Sequence, residues 1–342
     1  MNTSNKKYIK LLLIGFIGGF ILALSIFYII TRLGGTGGNP FSADDRLSTT
    51  KYTFIKPILN SGYGNEDESL KWFPAERKLK RSVEDIVAEK SDIDTGVFFL
   101  NLKNSGWFSV NPSTTYIPAS LLKLPTLISY FKLHEADKDL FEKQIAYEGK
   151  DFNALRTIGA STITPGKTYT VKELMNEMII NSDNNALQLL YQYRKNSLVS
   201  IFTDLAIPLP STDDEIANKD FVTTRDIARF LLVLYNASYL SAEDSEQALQ
   251  ILSKTSFKDG LVAGVPPTIV VSHKFGEREQ LLPDKSIKVE LHDCGIVYHP
   301  QTPYIVCIMT KGKNIDSQKN QIQKISKIIY ESVNTFSNKE SQ

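Results

Sequence analysis

Ser120-Leu121-Leu122-Lys123 places a hydroxyl and an amine three residues apart, where they are neighbours on one face of a helix. A serine hydroxyl is a poor nucleophile until a nearby base takes its proton. A partly desolvated lysine can be that base, since burial and a second cation both disfavour its charged form. The spacing alone says little, for it recurs at Ser4/Lys7, Ser48/Lys51 and Ser129/Lys132. Context separates the four. Ser120 follows Pro118-Ala119 and opens an apolar helical stretch, Leu121, Leu122 and Leu124 through Tyr130, the setting of a nucleophile at a helix start. Ser4 precedes an apolar run, Ser48 sits in a polar linker and Ser129 falls in mid-helix. Two later triplets supply companions. Ser182-Asp183-Asn184 occurs once, between two helical patterns, and Lys274-Phe275-Gly276 ends the β-branched run Thr268-Ile269-Val270-Val271. Gly276 is expected to let a substrate backbone approach closely. A second K-x-G, Lys258-Asp259-Gly260, has no strand before it and reads as a turn.

In this order the three motifs resemble those of the penicillin-interacting serine enzymes, most closely the class A β-lactamase family. The resemblance covers roughly residues 74–336. Thr170-Val171-Lys172-Glu173-Leu174 is similar to the helix before the family's S-D-N loop, and Val222-Thr223-Thr224-Arg225-Asp226 to the start of the helix after its omega loop. The resemblance implies a serine hydrolase with a covalent acyl-enzyme. Ser120 attacks an amide carbonyl, Lys123 accepts its proton, Ser182 relays a proton to the leaving nitrogen, and Lys274 keeps that region positive. Asn184 orients Lys123 and binds a substrate amide. Backbone N–H groups of Ser120 and Glu277 form the oxyanion hole. The substrate is a β-lactam or a peptidoglycan-type peptide. A D-alanyl-D-alanine peptidase or penicillin-binding-like protein shares these residues, and a non-catalytic wall-binding module on the same scaffold is the third alternative.

Two positions depart from the family pattern. Phe275 stands where a hydroxyl residue follows the lysine and hydrogen-bonds a substrate carboxylate. Between Asn184 and Thr223 the family carries a glutamate in an E-x-x-L-N setting that positions the deacylating water. Here Thr212-Asp213-Asp214-Glu215-Ile216-Ala217-Asn218 has Glu215 and Asn218 at another spacing. Glu215 therefore reads as part of a solvated acidic loop, and deacylation is doubtful.

Around these motifs, strands at both ends of the chain enclose a helical middle. The expected fold is α/β (α+β), β-lactamase/transpeptidase-like: an antiparallel sheet flanked by N- and C-terminal helices, plus an all-helical subdomain at about 120–260. Pro74 opens an amphipathic helix with Leu79, Val83, Ile86 and Val87 on one face. Gly96 to Leu102 and Trp107 to Val110 read as strands across an Asn104-Ser105-Gly106 turn. Thr170 and Glu173 form a capping box for a helix reaching Ile180. Strands return at Thr268–Phe275, Ile287–Val297 and Tyr304–Met309. Asp316 is expected to cap a last helix with Ile322, Ile325, Ile328, Ile329 and Val333 on one face.

The remaining features bound the setting. Leu11 to Ile30 is an uncharged apolar run preceded by Lys6, Lys7 and Lys10 and followed closely only by Arg32. It is long enough to span a bilayer, with the N-terminus inside and the domain outside the cytoplasm. The competing reading is a cleaved signal peptide, which the length and the lack of an A-x-A site disfavour. The resulting division is an anchor at 1–33, a linker at 34–73 that begins with the glycine-rich stretch to Pro40, and the hydrolase domain at 74–336. A net charge of +1 offers no basic excess for nucleic acid. His134, His273, His292 and His299 lack ligand spacing, so neither a metal nor another cofactor is expected. Cys294 and Cys307 lie symmetrically about His299-Pro300-Gln301-Thr302-Pro303. They are either a cross-strand disulfide or two buried thiols. A monomer is expected, with a small-molecule or peptidoglycan-peptide substrate and the bilayer as its partners.

Overall fold

Alternating β-branched and aromatic residues build the sheet that carries the site. In the computed structural model, which describes residues 52–56, 73–149, 161–195, 197–282 and 284–340, strands β1 (Asp94–Asn101) and β2 (Trp107–Val110) form a hairpin. Its Asn104-Ser105-Gly106 turn puts Ser105 at φ 64°. Asn104 Oδ1 accepts the Gly106 N–H at 2.8 Å to hold the turn. Strands β5 (Val271–Leu281), β6 (Ile287–Val297) and β7 (Tyr304–Gly312) complete a five-stranded sheet of order β2-β1-β7-β6-β5, antiparallel throughout.

Successive side chains of a strand point to opposite faces, and this division organises the molecule. Val97, Phe99, Leu291, Val306 and Ile308 share a core with Leu79 and Val83 of α1 (Pro74–Ala88) and with Ile322, Ile325, Ile329 and Val333 of α9 (Ile315–Glu340). Each such buried aliphatic side chain is worth about 1.5–3 kcal/mol, so both terminal helices are held against one face. Lys274, Gly276, Glu290, His292 and Cys294 alternate onto the opposite face. There lies the helical region: α2 (Lys123–Ala136), α3 (Val171–Ile180), α4 (Asn184–Tyr193), α5 (Ser197–Asp204), α6 (Asp213–Asn218), α7 (Thr224–Tyr235) and α8 (Ala242–Leu252). Thr170 caps α3 through the expected box with Glu173, and Thr223 caps α7 through a second box with Asp226.

Several expectations need correction. The region is not all-helical: β3 (Gln144–Ala146) pairs with β4 (Thr168–Thr170) as a two-stranded ribbon. β5 begins at Val271 rather than Thr268, because its partner strand ends at Val297 and Ile269 N turns back to the Pro266 carbonyl at 2.9 Å. Asp316 lies inside the first turn of α9, and the Ser317 N–H donates instead to Asn314 Oδ1 at 2.9 Å. Of the two cysteine alternatives the structure has the disulfide: Cys294 stands directly opposite Cys307 and the two are bonded, S–S 2.03 Å.

The chain divides into two units, Met1–Tyr52 and Thr53–Gln342. The expected span Leu11–Ile30 and the glycine-rich tether lie outside the described residues. Among the described residues no helix is long and apolar enough to cross a membrane. Within the larger unit, the N–H groups of Thr53, Phe54 and Ile55 all donate to the Glu246 carboxylate on α8, at 2.6–3.1 Å. Phe54 meets Tyr298 edge to face.

Candidate active site

Ser120 lies in a 3₁₀ turn, Ala119–Leu122, that runs directly into α2. One turn later Lys123 is fully buried and its Nζ contacts Ser120 Oγ at 2.9 Å. Lys123 Nζ also donates to the Ser182 carbonyl at 2.8 Å and to Asn184 Oδ1 at 2.6 Å, and lies 3.1 Å from Ser182 Oγ. The two carbonyl oxygens can only accept, whereas the two hydroxyls can also donate. Lys123 can therefore hold its orientation through the carbonyls while taking a proton from Ser120.

Ser182 sits between α3 and α4 at φ 54°, an unfavourable backbone region for a residue with a side chain. Its neighbour Asp183 keeps it there. The Asp183 carboxylate caps α4 through the N–H groups of Asn185 and Ala186, and accepts from Ser161 Oγ and Thr162 N on the other side. Lys274 reaches in from β5: its buried Nζ donates to Ser182 Oγ at 2.9 Å and to the Phe275 carbonyl at 2.9 Å. Ser120, Lys123, Ser182 and Lys274 thus form one continuous chain of hydroxyls and amines.

The outward carbonyl of Phe275, and that of His273, which accepts from Thr255 Oγ1 at 2.8 Å, show which backbone groups point away from β6. Glu277 follows at the same two-residue repeat, so its N–H lies on the strand edge away from β6, and the residue lines the same cavity as Ser120. Gly276 explains how close the Ser120 turn comes. A Cβ there would lie 2.9 Å from the Pro118 carbonyl oxygen and 3.1 Å from the Leu121 nitrogen. The glycine therefore makes room for the turn that carries the nucleophile.

Phe275 is 2% exposed and belongs to the core on the α9 face, stacked on Phe257 with centroids 4.5 Å apart. Its ring lies 4.1 Å from Lys274 Nζ, and the residue is one of those lining a cavity of about 570 Å³ with Ser120, Lys123, Ser182 and Asn184. Helix α6 turns Asp213, Ile216 and Ala217 to this cavity, and Glu215 is not among the lining residues. Glu215 instead pairs with Lys219, whose hydrogen bond and charge hold its carboxyl below the usual range. Arg278 on β5 grips the Ala217 carbonyl and Asn218 Oδ1 at the end of the helix.

Sequence reasoning missed Leu187, Gln188, Tyr191 and Asp213 in the cavity. The first three stand three, four and seven positions after Asn184, the spacing of a single helix face, which was a readable signal. Asp213, which accepts from the Tyr191 hydroxyl at 2.9 Å, had no such marker.

The fold and this arrangement define a class, the serine hydrolases in which a lysine stands beside the serine. The β-lactamase enzyme family matches residues 78–333, and the chain belongs to that family. No curated protein matches it. Among solved structures it is similar to TLA-3 extended-spectrum β-lactamase, with TM-score 0.67, 17% identity, and 75% of this chain and 99% of that one covered. It is also similar to PBP-A, with TM-score 0.64, 18% identity, and 83% and 99% covered. A class A β-lactamase representative from Bacteroides cellulosilyticus DSM 14838 gives TM-score 0.64, 20% identity, and 76% and 99% covered. At these identities the likeness is one of fold.

Proposed function

We propose that the chain is a membrane-anchored serine acyl hydrolase working outside the cytoplasm on a β-lactam or a peptidoglycan-type amide. The observation that carries this reading is the hydrogen-bonded chain Ser120–Lys123–Ser182–Lys274. Ser120 Oγ attacks the carbonyl carbon as its proton passes to Lys123 Nζ. Two ammonium groups within hydrogen-bond reach of one buried hydroxyl repel each other, so Lys123 is best placed to act as the neutral amine. The developing oxyanion is bound by the N–H groups of Ser120 and Glu277. The C–N bond then breaks, and the proton moves from Lys123 through Ser182 Oγ to the leaving nitrogen. Lys274 keeps that path positive, and Asn184 holds Lys123 and receives the substrate amide.

Two alternatives differ in the fate of the bound ligand. A D-alanyl-D-alanine peptidase or penicillin-binding-like protein is favoured by the placement of Glu215 away from the cavity. A point variant of PBP-A has been solved as an acyl-enzyme complex with penicillin G. A wall-binding module that does not cleave its ligand would need none of the four hydrogen-bonded groups. The reading is tested by mixing the full-length chain with a fluorescent penicillin or a fluorophosphonate. One label is expected, absent in Ser120→Ala and slowed by about 10²–10⁴-fold in Lys123→Ala. Labelling that survives Ser120→Ala overturns it. For the location, protease added to intact spheroplasts should digest the domain, and protection would reject an external domain.

A further inference from the structure

The segment that delivers the nucleophile is held by side chains with no part in the chemistry above. Ile117 stands three residues before Ser120, and both polar groups of its backbone are bonded to β6. Its N–H donates to Glu290 Oε2 at 3.1 Å, and its carbonyl accepts from His292 Nε2 at 2.9 Å. Glu290 and His292 are 1% and 0% exposed. The preceding residue is fixed from the opposite side: Tyr116 N donates to the Val222 carbonyl at 2.9 Å, and Phe221 N donates to the Tyr116 carbonyl at 3.0 Å.

The hydrogen-bond roles are determined. His292 Nδ1 accepts the Thr310 N–H at 3.2 Å, so its ring proton is on Nε2, the nitrogen that must donate to Ile117. Burial opposes ionisation of Glu290, yet His292, whose Nε2 lies 3.4 Å from Glu290 Oε2, and the charge of Lys288 hold its carboxyl below the usual range. Lys288 Nζ lies 2.6 Å from Glu290 Oε1 and 3.5 Å from Asp220, which in turn pairs with Lys311 at 2.9 Å. Lys311 Nζ donates to the Thr115 carbonyl at 3.2 Å. Each residue from Thr115 to Ile117 is therefore anchored before the chain reaches Ala119, whose φ is 48°. A non-glycine residue in that region costs on the order of 1–3 kcal/mol and persists only where its surroundings over-determine it.

We propose that Glu290 and His292 are positioning residues for the nucleophile, holding the Ile117 peptide so that the Ala119 bend cannot relax and Ser120 Oγ stays against Lys123 Nζ. The claim rests on the acyl-transfer reading of Ser120. Neither side chain lines the cavity that holds Ser120. Their removal acts on the attack step, because a displacement of about 1 Å can cost roughly 10²-fold in rate.

The test uses the full-length chain, stopped-flow acylation by a fluorescent penicillin, and hydrogen exchange of the peptide spanning Ile117. Glu290→Ala should lower the acylation rate constant by roughly 10²-fold while the affinity of the pre-covalent complex is unchanged. Exchange at Ile117 should accelerate. Glu290→Gln keeps a carbonyl acceptor for the Ile117 N–H and should recover most of the rate. If Glu290→Ala does not fold, His292→Ala examines the same residue from its carbonyl side. Acylation in the alanine variants equal to wild type overturns the proposal, as does a loss that Glu290→Gln fails to recover. A wild type that no probe acylates removes the acyl-transfer reading instead. The exchange result then decides the positioning claim, which falls if Glu290→Ala leaves Ile117 protected.

Discussion

At the scale of single residues, the site depends on two neighbours on β5 that point to opposite faces. Lys274 turns to Ser182, while Phe275 is packed with Phe257 on the α9 face and reaches the cavity only at its wall. Its ring is a core member, and it stands where the family pattern has a hydroxyl residue. Phe275→Thr should therefore act in two directions. Removing a buried aromatic ring costs about 3–5 kcal/mol, so the urea midpoint should fall. A hydroxyl here that turned to the cavity wall would add a hydrogen bond to the proposed ligand's carboxylate worth roughly 1.5–3 kcal/mol. Acylation by penicillins should then rise by about one to two powers of ten. A lower midpoint with no gain in acylation would show that this position does not meet the carboxylate.

At the scale of elements, helix α6 bears on the fate of the proposed acyl-enzyme. Thr212 caps the short helix α6, Arg278 grips its end, and residues at one helical spacing, Asp213, Ile216 and Ala217, face the cavity. That rotation leaves Glu215 on another side, paired with Lys219. If the proposed acyl-enzyme forms on Ser120, Glu215 is not placed to activate the water that hydrolyses it, a contribution of about 10²–10⁴-fold. Intact-mass spectrometry after mixing with a β-lactam should show one adduct lasting minutes or longer. Glu215→Gln should barely change its lifetime. Rapid return to the free mass, abolished by Glu215→Gln, would show that α6 does supply the base.

Over the larger unit, the sheet pairs an early strand, β1, with a late one, β7, and carries the cleft on one face. Its cross-link, Cys294–Cys307, ties β6 to β7 across a sequence separation of 13. Closing a loop of that order restricts the unfolded chain and is worth about 2–4 kcal/mol. β6 also carries Glu290 and His292, so the same strand links stability to the Ser120 turn. The double variant Cys294→Ala with Cys307→Ala should unfold at a lower urea midpoint, and added reductant should no longer shift it. An unchanged midpoint would mean that the cross-link restrains little beyond the sheet itself.

Much of this was legible in the chain because the signals are local. Ser120 and Lys123 are one turn apart, Thr170 and Glu173 close a cap over three residues, and the strand alternation from Ile287 to Val297 needs no distant information. Propensity, capping and periodicity act within a turn or a strand, and they determined the order of elements, the antiparallel sheet between terminal helices, and the motif set. The site itself closes over longer spans. Lys123 meets Ser182 across 59 residues, Lys274 meets it across 92, and Ile117 meets Glu290 across 173. No local rule reports which face of β5 packs on α9, which side of α6 turns to the cavity, or that Gly276 is pressed by the Pro118–Leu121 turn. Those were settled only by tertiary packing, since each is a competition between surfaces that come together after the elements have formed.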